Sequence, residues 1–193
     1  IDNGDKPAVV NSIMKYHATE KFREVINDAM DILGGAAIIR GEKNLLAHAY
    51  FAIPISITVE GANILTRNLM QFGQGLIKCH PYLYGQVQAL NANDTKKFDT
   101  LLFRHIGLVN NSICKSIFYY FTRGSLIQTK GNFKRYRQKL IWVSAEFTFL
   151  SNMSLVFYGG NLKKKENIGA RFGDILSWCY LITSTLREFD NNP

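Results

Sequence analysis

Residues 58–67 read Thr58-Val59-Glu60-Gly61-Ala62-Asn63-Ile64-Leu65-Thr66-Arg67 and hold a single carboxylate, Glu60, between two periodicities. On the N-terminal side, apolar and polar residues alternate, which predicts an extended segment with one buried face. On the C-terminal side, apolar residues recur at helical spacing, which predicts a helix that ends before Pro81. The alternating residues are Ile55, Ile57 and Val59, and the helical ones are Ile64, Leu65, Leu69, Phe72 and Leu76.

Glu60 is the candidate catalytic residue of the sequence, because its carboxylate follows an apolar run and stands where the chain turns into a helix. A carboxylate held at a defined point can take up a proton from a bound substrate. The structural alternative is a glutamate that suits the positive end of a helix dipole. Thr58 or Asn63 is the predicted cap of the helix.

Helical periodicity and capping residues organise the rest of the chain, and no convincing sheet pattern is present. Pro7, with Asp5 before it, begins a first helix that Gly34-Gly35 closes. The further predicted helices cover residues 41–50, 93–124, 133–158 and 162–189, where Asn93-Asp94-Thr95 cap one start and Gly124 closes one end. The sequence thus predicts an all-α fold of about six helices, counting the one after Glu60.

The positive charge of the chain is confined to its second half. Residues 1–89 carry eight of the 23 basic and eight of the 15 acidic residues, so residues 90–193 carry the whole net charge of +8. Basic and aromatic residues interleave at Phe133, Lys134, Arg135, Tyr136, Arg137 and Lys139, and Lys163-Lys164-Lys165 follow. This pattern is typical either of a solvated helix face or of contact with an anionic membrane surface. No nucleic-acid-binding signature accompanies it, so a nucleic-acid partner is not expected.

Membrane spans, disulfides and metal sites are not expected either. The longest uncharged run, Phe147–Leu162, is shorter than the ~20 residues that a spanning helix needs. Three cysteines and four histidines are scattered, without the spacing of a disulfide framework or a metal site. The cysteine usage indicates a reducing compartment such as the cytoplasm.

The run from Pro7 to Pro81 resembles the C-terminal helical domain of acyl-CoA dehydrogenases, in particular the bacterial long-chain type of fatty-acid β-oxidation, and the resemblance continues to the end of the chain. It is carried by short matches over nearly the whole length: Lys15-Tyr16-His17, Asp28-Ala29-Met30-Asp31, Ile32-Leu33-Gly34-Gly35, residues 57–67, Phe72-Gly73-Gln74-Gly75, Cys79-His80-Pro81-Tyr82, Leu101-Leu102-Phe103, His105-Ile106-Gly107 and residues 170–177.

The resemblance implies a FAD-dependent oxidation of fatty acyl-CoA to trans-2-enoyl-CoA. Glu60 would abstract the α-proton, and its backbone N–H, with a flavin hydroxyl, would hold the thioester oxygen. Gly61 would leave room for substrate, although a glycine at a helix start has the same appearance. Gly34 and Gly35 would approach FAD bound mainly by a neighbouring subunit, which implies a homo-oligomer, and would also serve as ordinary helix terminators. Electrons would pass to an electron-transfer flavoprotein or a similar acceptor.

The resemblance also sets the expected domain organisation. Residues 1–89 are expected to be part of the C-terminal dehydrogenase bundle, and residues 90–193 an appended basic helical domain. The chain is therefore expected to be the C-terminal piece of a longer cytoplasmic enzyme, with or without peripheral contact with the inner membrane. The alternative is a non-catalytic helical module, membrane-peripheral or scaffolding, which would bind no flavin.

Overall fold

The computed structural model describes residues 7–68, 73, 75–76 and 80–192 of the chain. These residues form helices and connecting turns without a strand, so the predicted all-α fold class is confirmed. The chain divides into two compact units, Ile1–Gln71 and Phe72–Pro193. Packing therefore changes at residue 71, whereas the excess positive charge begins after residue 89. The division into a dehydrogenase domain and an appended domain stays a prediction.

The first unit is built on a long helix, α1 (Ala8–Leu33), which packs along α2 (Leu45–Thr58). A 3-10 turn at Gly34–Ala37 closes α1, as the Gly34-Gly35 pair predicted, and Pro7 precedes the first helical residue. The predicted cap Asp5 lies outside the described residues. The buried apolar residues of this unit are Ile13, Ile26, Ala37, Ala47 and Ile53.

The helix predicted at residues 41–50 is present but begins later and runs further, as α2 (Leu45–Thr58), and the predicted extended segment before Glu60 is wrong because α2 covers it, with Pro54 inside the helix. Ile55 is 59% exposed and Val59 48% exposed, so the alternating residues do not share a buried face. An extended segment needs a second strand for its N–H and C=O groups, whereas a helix pairs most of them within the segment.

The segment after Glu60 begins with a single helical turn, α3 (Asn63–Leu65), of which Ala62 is the N-terminal flanking residue. Neither predicted cap serves it: the Thr58 hydroxyl donates back to the Pro54 carbonyl (2.8 Å), and the Asn63 side chain is buried. Leu69 and Phe72, which also support the predicted helix, lie outside the described residues.

The second unit contains α4 (Leu83–Asn91), α5 (Thr95–Thr122), α6 (Lys134–Tyr158) and α7 (Glu166–Asn191), with a 3-10 segment at Gly159–Lys164. The three helices predicted at residues 93–124, 133–158 and 162–189 are confirmed as α5, α6 and α7. Asp94 caps α5 by accepting from the Lys97 N–H (3.0 Å), and Arg123 and Gly124 close it with positive φ angles. The short α4 was not predicted, since no side chain caps its start.

The core of the second unit lies between α6, α7 and the 3-10 segment that joins them. Phe172 and Leu162 are buried there, and the rings of Phe147 and Phe172 meet edge to face at 5.8 Å. Between α5 and α6, the Glu146 carboxylate accepts from the Ser116 hydroxyl (2.6 Å) and the Trp142 indole N–H (3.1 Å). Helices that follow one another along the chain pack together in this unit: α4 on α5, α5 on α6 and α6 on α7.

One helical stretch in the described part of the chain, Lys134–Lys164, is long and apolar enough to cross a membrane by length and composition alone, with mean hydropathy 1.4 in its most apolar window. The uncharged run Phe147–Leu162 is shorter than this stretch because it begins after Glu146, which the longer stretch includes. Only 11% of that window is buried. Its polar side chains nevertheless bond within the unit: Glu146 to Ser116, and Asn152 to His105 (2.8 Å).

Candidate functional site

Glu60 lies in the turn between α2 and α3, not at the start of a helix as predicted. Its φ of 56° is in the left-handed region, which costs a residue with a Cβ about 1 kcal/mol. The side chain is exposed, and across the described residues its carboxylate has no hydrogen-bond or ion-pair partner. Its backbone N–H likewise meets no acceptor there. Among the described residues, the turn therefore presents a carboxylate and an N–H from the same residue, neither of which has a partner.

Gly61 continues the turn with a φ of 90°, which a glycine adopts without steric cost. Two successive positive φ angles reverse the chain between α2 and α3, and this reversal aims the Glu60 side chain outward. The Gly61 carbonyl accepts two side-chain hydrogen bonds, from Lys15 Nζ (2.9 Å) and from the Thr66 hydroxyl (3.3 Å). Gly61 therefore shapes the turn, and its predicted role beside the substrate stays a prediction.

Lys15, on α1, reaches the turn with its partly buried ammonium group. Its Nζ donates to the Ile57 carbonyl (3.1 Å), the Gly61 carbonyl (2.9 Å) and the Asn63 Oδ1 (2.7 Å). We call this arrangement the Lys15 clamp. It connects α1 to both sides of Glu60.

Asn63 completes the connection from the other side of the turn. Its side chain is 3% exposed, and its Nδ2 donates to the Thr19 hydroxyl (2.9 Å) and the Glu20 Oε1 (2.7 Å), both on α1. These two bonds orient the amide so that its Oδ1 faces Lys15. The site around Glu60 is thus built by polar groups of α1 together with the turn itself.

Gly34 and Gly35, the predicted cofactor-binding residues, lie at the C-terminal end of α1. Gly34 has a φ of 56°, and among the described residues no atom outside the adjoining backbone lies within 4 Å of the position that a Cβ would take at either glycine. The Asn44 side chain holds this turn by donating to the carbonyls of Ala37 (2.6 Å) and Ile39 (2.9 Å). Its Oδ1 accepts from the Leu46 and Ala47 N–H groups and caps α2. The open backbone fits a ligand that approaches closely.

Two of the four histidines, treated as scattered in the sequence, meet in the second unit. The ring centroids of His80 and His105 are 4.6 Å apart. Burial, and next the neighbouring His105, lower the pKa of His80 from 6.5 to about 4, against a smaller opposing effect of Asn152. The described residues contain no group of three or more His, Cys, Asp or Glu that would hold a metal ion. Cys79 lies outside them.

The basic residues at the start of α6 do not all have the same role. Arg137 is used within the unit, because its guanidinium donates to Asp190 Oδ2 (2.6 Å), the Asn132 carbonyl (2.9 Å) and the Leu186 carbonyl (3.3 Å). Lys134, Arg135 and Lys139 are exposed. Of the four basic residues at the start of α6, these three are therefore the ones exposed to an external anionic surface.

The role of Lys15 was not predicted from the sequence, although Lys15-Tyr16-His17 is one of the short matches that carry the family resemblance. The signal was present: Ser12, Lys15 and Thr19 share one face of α1, which makes a polar stripe beside the buried Ile13. A lysine within such a stripe indicates buried acceptors. The sequence spacing does not predict which carbonyl oxygens the Lys15 ammonium group contacts.

Two family models match the chain, one after the other. Residues 1–73 match the model described as "Acyl-CoA dehydrogenase, C-terminal domain", and residues 77–193 match the model described as "Acyl-CoA dehydrogenase, C-terminal, bacterial type". No solved structure matches the chain. The two matched regions meet close to the packing boundary at residue 71 and together cover nearly the whole sequence. The chain therefore belongs to the acyl-CoA dehydrogenase family, of which it forms a C-terminal portion of the bacterial type.

Proposed function

We propose that this chain is the C-terminal part of a FAD-dependent acyl-CoA dehydrogenase of fatty-acid β-oxidation, with Glu60 as the base that removes the α-proton. The observation that carries the proposal is the state of Glu60. Its carboxylate is exposed and free of partners within the described residues, on a turn held in a strained conformation by α1. Strained backbone that persists because its surroundings fix it is concentrated at functional sites.

The reaction requires that one base and one hydrogen-bond donor act on the same acyl thioester. The α C–H bond breaks, its proton passes to a Glu60 Oε atom, and its electron pair forms the new double bond as a hydride leaves the β-carbon. The Glu60 N–H, which has no acceptor in the described part of the chain, is suited to donate to the thioester oxygen while negative charge develops there. A single residue thereby provides both groups.

FAD is the cofactor that the family generally uses, and the residues at the end of α1 fit it. Gly34 and Gly35 would hold its adenosine diphosphate part, because their backbone is open and carries no side chain. Bound FAD supplies the acceptor for the hydride from the β-carbon. A neighbouring subunit would complete this site, so a homo-oligomer is part of the proposal, and an electron-transfer flavoprotein or similar carrier would reoxidise the cofactor.

The test is Glu60→Gln in the full-length flavoenzyme, which keeps the shape of the side chain and removes its basicity. We expect kcat to fall by at least ~10²-fold, the low end for loss of a positioned base, while flavin content and substrate KM change little. Glu42→Gln is the matched control, because Glu42 is an exposed glutamate in the turn before α2. Turnover by Glu60→Gln close to that of the control would refute the assignment. Flavin-free preparations of the full-length protein would instead favour a non-catalytic scaffold.

A second function, peripheral contact with the anionic inner face of a cytoplasmic membrane, is favoured by one end of the second unit. We define the basic end as Lys134, Arg135 and Lys139 with exposed apolar residues from the last turn of α5, from the loop that Gln138 of α6 bonds, and from the first turn of α6. Those residues are Phe121, Leu126 and Tyr136, with exposed fractions of 79%, 66% and 63%. Each basic residue near an anionic surface contributes about 1 kcal/mol, and exposed aromatic groups add insertion into the interface.

The membrane contact is tested with vesicles of phosphatidylcholine containing anionic phosphatidylserine. Lys134, Arg135 and Lys139 are changed to Gln together, and Arg137 is left in place because it holds α7. We expect the vesicle affinity measured by co-sedimentation to fall at least ~10-fold. Added salt should weaken vesicle binding by the parent protein in the same way. The control changes Lys163, Lys164 and Lys165 to Gln, which removes the same charge elsewhere. Equal losses in both variants would assign the effect to net charge, against a specific contact at the basic end.

A further inference from the structure

Lys15 is a strongly bonded charged group of the first unit for which the proposed reaction gives no role. Lys15 has three N–H donors, and its three acceptors, at 2.7–3.1 Å, are neutral oxygens. No carboxylate lies within ion-pair distance of it in the described part of the chain. A partly buried ammonium must have its hydrogens satisfied to offset lost hydration. All three hydrogens of the Lys15 ammonium group are donated to residues 57–63, the segment that contains Glu60.

The acceptors are distributed around Glu60 in a way that limits its movement. The Ile57 carbonyl lies three residues before Glu60, in the last turn of α2, where a positive charge also suits the helix dipole. The Gly61 carbonyl lies directly after Glu60. Because one group on α1 holds the chain on both sides of Glu60, the clamp restrains the turn in which Glu60 has a φ of 56°.

The clamp is itself held in place by a second layer of bonds. Thr19 and Glu20 orient the Asn63 amide, and the Thr66 hydroxyl adds a bond to the Gly61 carbonyl. Thr66 is 1% exposed and Asn63 is 3% exposed, so water does not compete for these groups. These bonds therefore fix the position of the Glu60 turn relative to α1.

We propose that Lys15 is a positioning residue for Glu60: it fixes the turn from which the carboxylate and the N–H of Glu60 act on the substrate. The inference rests on the proposed role of Glu60 as the base. A displacement of about 1 Å at a reacting group costs up to ~10²-fold in rate. Loss of the clamp therefore acts on kcat more than on KM, since substrate binding as a whole does not depend on the clamp.

The experiment compares Lys15→Met with Lys21→Met in the full-length flavoenzyme. Methionine keeps the length of the lysine stem and removes its charge and donors. Lys21 is the matched control, because it lies on the same helix and makes only a surface ion pair with Glu24. We expect Lys15→Met to lower kcat at least ~10-fold relative to the control, with KM changed less than about threefold and flavin content unchanged.

A double-variant comparison with Glu60→Gln separates positioning from general support of the fold. If Lys15 acts through Glu60, Lys15→Met lowers kcat by a clearly smaller factor once Glu60 is already Gln, because the basic carboxylate is then gone and only the backbone N–H of residue 60 is left to position. The same factor in both backgrounds overturns the proposal, since Lys15 would then act by another route. A kcat equal to that of Lys21→Met overturns it directly.

Two further outcomes stay distinguishable. If Glu60→Gln turns over normally, the proposed base is wrong and the positioning role falls with it, whatever Lys15→Met shows. If Glu60→Gln is impaired at least ~10²-fold and Lys15→Met is not impaired, only the positioning role falls. If Lys15→Met loses part of its flavin, kcat is expressed per bound flavin, and a value like that of the control overturns the proposal.

Discussion

Replacement of Asn44 by alanine should loosen the glycine turn and the start of α2 together. Asn44 is 9% exposed, and its Oδ1 caps α2 through the N–H groups of Leu46 and Ala47, each at 3.1 Å. Its Nδ2 lies within hydrogen-bond distance of three carbonyls, those of Ala36, Ala37 and Ile39. Since Nδ2 carries two hydrogens, these contacts amount to two full bonds.

The expected loss follows from that inventory. Removing an asparagine cap costs about 1 kcal/mol, and leaving two carbonyls without a donor costs about 1 kcal/mol each. The free energy of local opening should therefore fall by about 3 kcal/mol, which is a factor of ~10² in the opening equilibrium. Asn44→Ser keeps a capping oxygen and loses the donors, so we expect about 2 kcal/mol for it.

Native-state hydrogen exchange of the full-length enzyme, followed by mass spectrometry over residues 34–58, measures this opening directly. Asn27→Ala is the control, because Asn27 is an exposed asparagine on α1, where such changes are usually within 0.5 kcal/mol. The reasoning is refuted if exchange in Asn44→Ala is within about threefold of the control. It is also refuted if Asn44→Ser is as damaging as Asn44→Ala, since capping would then contribute nothing.

Three further outcomes are expected. The isolated 193-residue chain should show no acyl-CoA-dependent reduction of an electron acceptor, because a base without the flavin cannot complete the oxidation; measurable turnover would contradict this. His80 should stay neutral well below pH 6.5, so its contribution to stability is complete above pH 6.5 and is lost as the pH falls towards 4, where the unfolded chain binds the extra proton. Deuterium exchange at the imidazole C2 measures this midpoint in the folded enzyme, and a midpoint for His80 at its ordinary value of 6.5 would contradict the assignment. Phe172→Ala should lower the protection of α7 amides by about 3–5 kcal/mol, because it empties the core beside Phe147, and a loss below 1 kcal/mol would show that the contact contributes little.

Local signals determined most of the helices correctly. The end of α1 followed from Gly34, and the start and end of α5 followed from Asp94 and Gly124, because a cap acts through backbone groups within a few residues of itself. The helical recurrence of apolar residues along α6 and α7 can be recognised without knowing which helices pack against them. The all-α class was therefore predictable from the sequence.

Residues 55–59 show where local signals are insufficient. A short apolar run fits a strand or a helix equally well, and the choice depends on whether a second strand is available to pair with it. The described residues contain no strand, so the helix that began at Leu45 continues through Pro54 to Thr58. The helix then ends in a left-handed turn. Glu60 therefore lies between two helices and not, as the sequence predicted, at the start of one.

The sequence by itself determined that residue 60 is a carboxylate next to a glycine, and that Gly34-Gly35 ends a helix. Only the tertiary structure decided that Lys15 meets Gly61 and Asn63, which are 46 and 48 residues away along the chain. The same holds for Asn44 and its carbonyls, and for the contact of His80 with His105. The physical reason is that hydrogen bonds and burial act over a few ångströms in space, and the folding of the chain, such as the packing of α1 against α2, brings such groups within that distance although no local pattern contains it.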